Sequence, residues 1–275
     1  MPYKSFRVGR VHLKPGRPLI VGVLNVTPDS FSDGGSFYKK AKAVDRALRM
    51  EEEGADIIDV GGESSRPFSK PVTLKEELRR VIPVIEAIRK KSSVPISIDS
   101  CKPEVARAAA LSGADMLNDI TGFTAPAMAE LAADLKKPVV IMHMKGDPRT
   151  MQKAPRYKDV AREVTGFLKR RAKILEKLGV RRIIVDPGIG FGKTIKHNLE
   201  LLKNIDKFSA LGYPVMVGAS RKSFIGKISG ANIDDRLGGS LSAHLWSINH
   251  GASLIRVHDV AAHRQALDIY GKIHF

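Results

Sequence analysis

Short apolar, β-rich runs recur along the whole chain, each followed by a polar cluster and then by a stretch of helical period. They cover residues 19–24, 56–60, 95–98, 115–117, 139–142, 183–185, 215–217 and 253–257. Most are nearly continuous in apolar character, as expected of parallel strands covered on both faces. Between them, Leu74, Leu78, Val81, Ile82, Ile85 and Ile88 predict one helical stripe, with Thr73 and Glu76 at capping-box spacing ahead of it. Val160, Val164, Phe167, Leu168, Leu175 and Leu178 predict a second. Pro103 suits the first turn of a helix after Cys101, and Asp259 is placed to cap a last helix over 260–271. Alternation over residues 3–13 predicts a short hairpin ahead of the first long strand.

Eight strand–helix units in one chain predict a (β/α)₈ TIM barrel. No linker divides the sequence, so residues 1–275 read as a single domain. An open doubly wound sheet would need a switch point in strand order, and none is evident among the repeats. Barrels of this kind place their chemistry at the C-terminal strand ends. At those ends stand Asn25, Asp59 with Glu63, Asp99, Asn118 with Asp119, His143, Asp186, Ser220-Arg221-Lys222, and Arg256 with His258. Burying such groups costs free energy unless they are paired, and barrel stability does not require them.

Composition narrows the function classes. The chain has 275 residues, 43% of them hydrophobic, enough for a large core. No apolar run approaches the roughly 18 residues of a membrane helix, and no charged-then-apolar leader opens the sequence. One cysteine, Cys101, rules out an internal disulfide framework and suits a reducing cytoplasm. The net charge of +17 raises the question of nucleic acid, but the basic residues are interleaved with acids and aromatics make up only 6%. We expect a solvated basic surface with no nucleic-acid partner, whose field would speed the approach of small anions.

The rim residues fall into two chemical sets. Asp99, Asn118, Asp186 and Lys222 combine acceptors with a donor, which suits a flat heterocycle with a guanidine-like edge. Met144 and Phe191 lie beside them in sequence and suit its ring faces. Asn25, Ser65, Arg66, Arg256 and His258 suit a phosphate or pyrophosphate. The two-residue period puts Arg256 and His258 on one side of a strand. A pyrophosphate commonly brings Mg²⁺, and Asn25 offers it an oxygen ligand. Residues 188–194, Gly-Ile-Gly-Phe-Gly-Lys-Thr, end like a phosphate loop, but Pro187 stands where that motif leads with glycine. His12, His197, His244, His250 and His263 show no metal-ligand spacing.

The first loop, residues 25–35, is the richest segment. It crowds Asn25, Asp29, Asp33 and hydroxyls around Phe31, with Pro28 and Gly34-Gly35 as breakers. Together with residues 61–67, 97–100, 118–120, 143–146, 186–194, 220–224 and 256–259, it resembles the dihydropteroate synthases of the pterin-binding barrel family. The likeness runs from Leu24 to Asp259.

The resemblance implies joining of 6-hydroxymethyl-7,8-dihydropterin pyrophosphate to p-aminobenzoate, with release of pyrophosphate, in folate biosynthesis. It implies a pterin site of Asp99, Asn118, Ile120, Met144, Asp186, Phe191, Lys222 and Arg256. Pyrophosphate would meet Asn25, Ser65, Arg66, Arg256 and His258, with Mg²⁺ at Asn25 and Asp33. The p-aminobenzoate would lie among Phe31, Pro67, Ser220, Lys222 and Ser223. Asp99, Asp186, Lys222, Asn25, Arg256 and His258 would carry the catalysis, in a cytoplasmic homodimer.

Five positions depart from the family pattern: Ser65 for threonine, Phe68 for glycine, Ser100-Cys101 for a threonine–tyrosine pair, and Ala219 for threonine. None removes a group that the chemistry needs. A corrinoid methyltransferase on the same barrel would share the pterin floor, but it would need no Ser65-Arg66 pair and no Arg256-x-His258. The first loop is expected to act as a lid, swung away or poorly ordered without ligand.

Overall fold

In the computed structural model, residues 3–27, 36–65 and 69–274 are described. An antiparallel hairpin of β1 (Phe6–Val8) and β2 (Val11–Leu13) precedes eight parallel strands. These are β3 (Leu19–Asn25), β4 (Ile57–Gly61), β5 (Ile96–Asp99), β6 (Met116–Asp119), β7 (Val139–Met142), β8 (Ile183–Asp186), β9 (Met216–Val217) and β10 (Leu254–Val257). Each expected run holds one strand, with ends displaced by no more than two residues. Neighbours in sequence are neighbours in the sheet, β10 pairs with both β9 and β3, and a parallel bridge from Val185 to Val215 joins β8 to β9. The expected barrel with its N-terminal hairpin is the observed architecture.

The helices are α1 (Ser36–Glu52), α2 (Leu74–Arg89), α3 (Pro103–Leu111), α4 (Pro126–Leu135), α5 (Val160–Lys177), α6 (Ile195–Lys203), α7 (Ile205–Ser209), α8 (Ser223–Ser229), α9 (Leu237–Asn249) and α10 (Val260–His274). Their starts follow local chemistry. Pro103 and Pro126 open α3 and α4, where a missing N–H costs nothing. Thr73 accepts the Glu76 N–H at 3.3 Å, yet the expected capping box is only half formed. The Glu76 carboxylate is drawn instead to Arg79 and Arg80 at 2.8 Å. A complete box opens α6, where Thr194 and His197 exchange bonds. Leu178, assigned to the α5 stripe, ends that helix and is 44% exposed. The Asp259 carboxylate is turned to Arg221, while α10 runs on to His274. No helix among the described residues is long and apolar enough to cross a membrane.

Strand alternation divides the core in two. Outward residues such as Ile20, Ile58, Ile96, Leu117, Ile141, Val185, Val217 and Ile255 pack beneath the helices. Inward residues nearest the strand starts form a separate apolar plug: Val21, Ile57, Met116, Val140, Ile184, Met216 and Leu254. The hairpin closes this end of the barrel, since Val8 and Leu13 belong to the same cluster. Two residues further along, the inward positions become Asp59, Asn118, Met142, Asp186, Gly218 and Arg256, with Asp99 above Ser97 on β5, while β3 stays apolar at Val23. The barrel is therefore solid below and polar above.

Candidate active site

That polar upper layer floors a small, partly enclosed cavity at the C-terminal mouth. Met216 forms part of its base, and Asp99, Asn118, Asp186, Lys222 and Arg256 reach in from different strand ends. Phe191, Ile120 and Met142 supply apolar walls. A flat ring with hydrogen-bonding edges matches such a lining.

One side of the floor is fixed by ion pairs. Arg256 donates from Nε to Asp59 Oδ2 at 2.6 Å and from a terminal nitrogen to Asp99 Oδ2 at 2.8 Å. Asn118 Nδ2 also donates to Asp59 Oδ2, at 3.1 Å. Asp59 thus orients two floor residues from beneath, although it is only 1% exposed and its Oδ1 has no partner. Burial lowers the Arg256 pKa, but Asp59 and Asp99 outweigh it and hold the group above its usual value. Burial pushes Asp99 upward against the pull of Arg256. Asp186, across the floor, is pushed up to about 6 by burial, moderated by the Gly188 N–H and by Lys222. Lys222 falls to about 8 through burial and the neighbouring Arg256. The floor is a set of closely balanced charges.

The loop between β8 and α6 supplies the wall. Asp186 Oδ1 accepts the Gly188 N–H at 2.6 Å. Gly188 has φ +68°, and a Cβ there would lie 2.0 Å from the His143 carbonyl oxygen, so only glycine fits. Lys193 fastens the loop from behind. Its ammonium lies 3.1 Å from His143 Nδ1, 3.1 Å from the His143 carbonyl and 2.9 Å from the Phe191 carbonyl. Three N–H donors meet three neutral acceptors in a site 2% exposed, and burial lowers the group to about 7. Gln152 and Tyr157 hold the carbonyls of Gly190 and Gly192. Phe191 is thereby aimed at the cavity, with the Lys222 ammonium 4.1 Å from its ring centre.

Opposite stands a turn from Ala219 to Lys222. Arg221 sits at φ +56°, a left-handed conformation costing roughly 1–2 kcal/mol for a residue with a Cβ. Ser240 accepts its N–H at 2.9 Å, and Asp259 grips its guanidinium at 3.0 and 2.5 Å. Ser220 Oγ accepts the His258 N–H at 3.2 Å and lies 3.0 Å from His258 Nδ1. When the hydroxyl donates to Nδ1, the ring proton sits on Nε2. Burial, with Arg256, Arg221 and Lys222 close by, lowers His258 to about 3, so it is neutral near pH 7.

Comparison with known proteins is decisive at this point. The family model described as pterin binding enzyme matches residues 21–258. The dihydropteroate synthase of Haemophilus influenzae is 46% identical over 255 residues, covering 92% of this chain and 93% of its own. The chain belongs to the pterin-binding enzymes, among the dihydropteroate synthases. The Xanthomonas albilineans dihydropteroate synthase solved with 4-aminobenzoic acid superposes with a TM-score of 0.92 at 44% identity, over 98% of this chain and 97% of that one. The same enzyme in complex with 7,8-dihydropteroate gives 0.89 at 43%, over 98% of each chain.

Against this pterin-binding framework, the residues expected from sequence are placed unevenly. Asp99, Asn118, Ile120, Asp186, Phe191, Lys222, Arg256, His258, Ser220 and Ser65 all line the cavity. Met144 does not; Met142, the inward residue of β7, takes that wall, and Met144 packs beside it. Asn25 lines an adjoining cavity that also contains His258 and Arg221. Ser223 is exposed in the first turn of α8. Phe31, Asp33, Arg66 and Pro67 lie outside the described residues, as do Phe68 and the expected lid motion. Burial raises the Cys101 thiol to about 11, which leaves it an inert packing group.

Two residues gain roles that sequence reading did not assign: Asp59, placed at the rim without a function, and Lys193. A third is Lys102, which bridges Glu63 and the buried Glu77. With Arg80 donating to the Gly62 carbonyl at 2.8 Å, it anchors the loop that carries Ser65.

Proposed function

We propose that the upper inward layer of the barrel holds the pterin while the His258 side of the mouth handles the leaving pyrophosphate. The protein, a dihydropteroate synthase, joins dihydropterin pyrophosphate to p-aminobenzoate in folate biosynthesis. The observation that carries the site reading is the convergence of Asp99, Asn118 and Asp186 on one floor, facing Lys222. Their acceptors suit the amino-pyrimidine edge of a pterin, and Phe191 and Ile120 its faces. Arg256 closes one side of the ring while held by Asp59 and Asp99.

The reaction follows from this division. The reacting carbon is a methylene attached to an electron-rich ring, so its C–O bond breaks with the electron pair leaving on pyrophosphate. Asp99 and Asp186 stabilise the positive charge that spreads over the pterin. Arg256, and His258 through a neutral Nε2–H, meet the departing oxygens. The amine of p-aminobenzoate is already a free base, so it forms the C–N bond without a dedicated general base and then sheds its proton to solvent. Ser220 and Lys222 border the p-aminobenzoate side, and the proposed contacts there also include Ser223, Phe31 and Pro67. Ser220 acts chiefly by orienting His258.

A divalent cation fits this chemistry at Asn25. Among the described residues no group of three acidic, histidine or cysteine side chains could hold a metal. Mg²⁺, however, keeps several waters and takes phosphate oxygens, so one amide oxygen at the rim, joined by Asp33, is an adequate protein contribution. Bound there, Mg²⁺ would neutralise charge on the pyrophosphate. A cytoplasmic location accords with a single unpaired cysteine, and a homodimer with the exposed Ile228 on α8 and Ile233 just after it. The direct test mixes the protein with dihydropterin pyrophosphate and p-aminobenzoate in the presence of Mg²⁺. Pyrophosphate release stoichiometric with p-aminobenzoate consumption is expected; release that ignores p-aminobenzoate would reject the reading.

A further inference from the structure

Behind the turn that carries Ser220 and Lys222 runs a chain of hydrogen bonds that the mechanism above does not use. The Ala219 N–H donates to His244 Nε2 at 3.0 Å. His244 Nδ1 lies 2.9 Å from His263 Nε2, and His263 Nδ1 lies 2.7 Å from the Asp259 carbonyl oxygen. The two rings come from α9 and α10 and are 0% and 1% exposed.

A backbone N–H can only donate and a carbonyl can only accept. The chain therefore has one consistent proton order. His244 accepts at Nε2, carries its proton on Nδ1 and gives it to His263 Nε2. His263 in turn carries its proton on Nδ1 and gives it to Asp259. A second proton on His244 would point at the Ala219 N–H, so both rings are neutral. Burial, the leading cause, lowers both histidines below their usual value, in keeping with this.

The ends of the chain are functional neighbours. Ala219 opens the turn in which Arg221 is held left-handed, and Asp259 follows His258 and grips Arg221 through its carboxylate. Chain and ion pair link the ends of β9 and β10 by two routes that meet at Asp259, one at its carbonyl and one at its carboxylate.

We propose that His244 and His263 are positioning residues, a proton-ordered pair of Nδ1–H tautomers that keeps the Ser220–Lys222 turn in register with His258. The kinetic consequence rests on the functional reading above, whereas the tautomers do not. Two-bond ¹H–¹⁵N correlation spectra of the labelled wild-type protein read them directly. Both rings should show the Nδ1–H pattern. A proton on Nε2 of either ring, as would follow if His244 turned to the nearby Val217 carbonyl, overturns the proposal.

Two variants then test the coupling. His244→Gln offers an amide oxygen to the Ala219 N–H, and His244→Leu offers nothing. Both lose the native ring contact with His263, so damage common to α9–α10 packing affects them alike. We expect kcat/KM in the leucine variant to fall about tenfold, the worth of one buried hydrogen bond, with the glutamine variant within about threefold of wild type. Equal losses in both, or none in the leucine variant, would overturn the positioning role. A wild-type protein with the expected spectrum and no synthase activity would reject the functional reading instead.

Discussion

The same strands that are apolar in one inward layer are polar in the next. Ile184 and Asp186 lie two residues apart on β8 and face the same barrel axis, yet one belongs to the dry plug and the other to the cavity floor. Met116 and Asn118 repeat the contrast on β6, and Leu254 and Arg256 on β10. The lower layer is closed by the hairpin and stabilised by burial. The upper layer holds carboxylates above their usual pKa values and leaves Asp59 Oδ1 unpartnered. Stability and function are thus divided along the barrel axis rather than mixed at each strand. The polar layer is a cost of folding that ligand binding offsets.

Substitutions two residues apart can break or sharpen that contrast. The largest effect is expected below. Ile184→Ala opens a cavity in the plug and should cost ~2–5 kcal/mol in denaturant unfolding, with kcat/KM of the folded fraction nearly unchanged. Asp186→Asn should do the reverse. It removes charge from the floor and should lower kcat/KM by the worth of one charged hydrogen bond, ~1.5–3 kcal/mol, with unfolding stability held or raised. Unchanged turnover would exclude Asp186 from the pterin site.

Lys193→Met keeps the stem of the side chain and removes its three donors. It should weaken pterin binding more than p-aminobenzoate binding, by about 1–2 kcal/mol, because only the Phe191 loop loosens. Equal changes in both KM values would remove Lys193 from the loop's support.

The smallest effect is a slope with pH. The folded-state pKa of Asp186 is raised to about 6 from 3.8, so between those values the native state binds a proton that the unfolded state does not. Stability of the ligand-free protein should therefore rise as pH falls through that window. Thermal unfolding of wild type and Asp186→Asn should show the steeper rise in the wild type, and identical slopes would contradict the buried, partly protonated floor.

Much of this arrangement was legible in the sequence because the outward strand faces and the strand-end polar residues follow the two-residue period. Asp99, Asn118, Asp186 and Arg256 could be placed at strand ends from that period alone. Asp59 was visible at the rim but had no evident role, since its function is to hold Arg256 and Asn118, which come from strands distant in sequence. Lys193 was hidden in a glycine-rich run that resembles a phosphate loop, whereas its partners are carbonyls and His143.

Met144 lies past the strand end and packs beside the wall, whereas alternation along β7 turns Met142 inward to line it. The half-formed cap at Thr73 shows the limit of spacing rules: two nearby arginines compete for Glu76. The histidine chain has no sequence signature, because its two rings come from different helices. Among the described residues, surface ion pairs such as Arg10–Glu51 and Lys173–Glu176 engage only a minority of the basic residues, and the +17 charge is the excess they leave unbalanced.

The most direct test of the central claim is a crystal structure of the protein with dihydropterin pyrophosphate and p-aminobenzoate bound. The account predicts the pterin ring on the upper inward layer, with its amino-pyrimidine edge on Asp99, Asn118 and Asp186 and the pyrophosphate beside His258. A pterin seated outside that layer, with those three side chains free of contact, would contradict it.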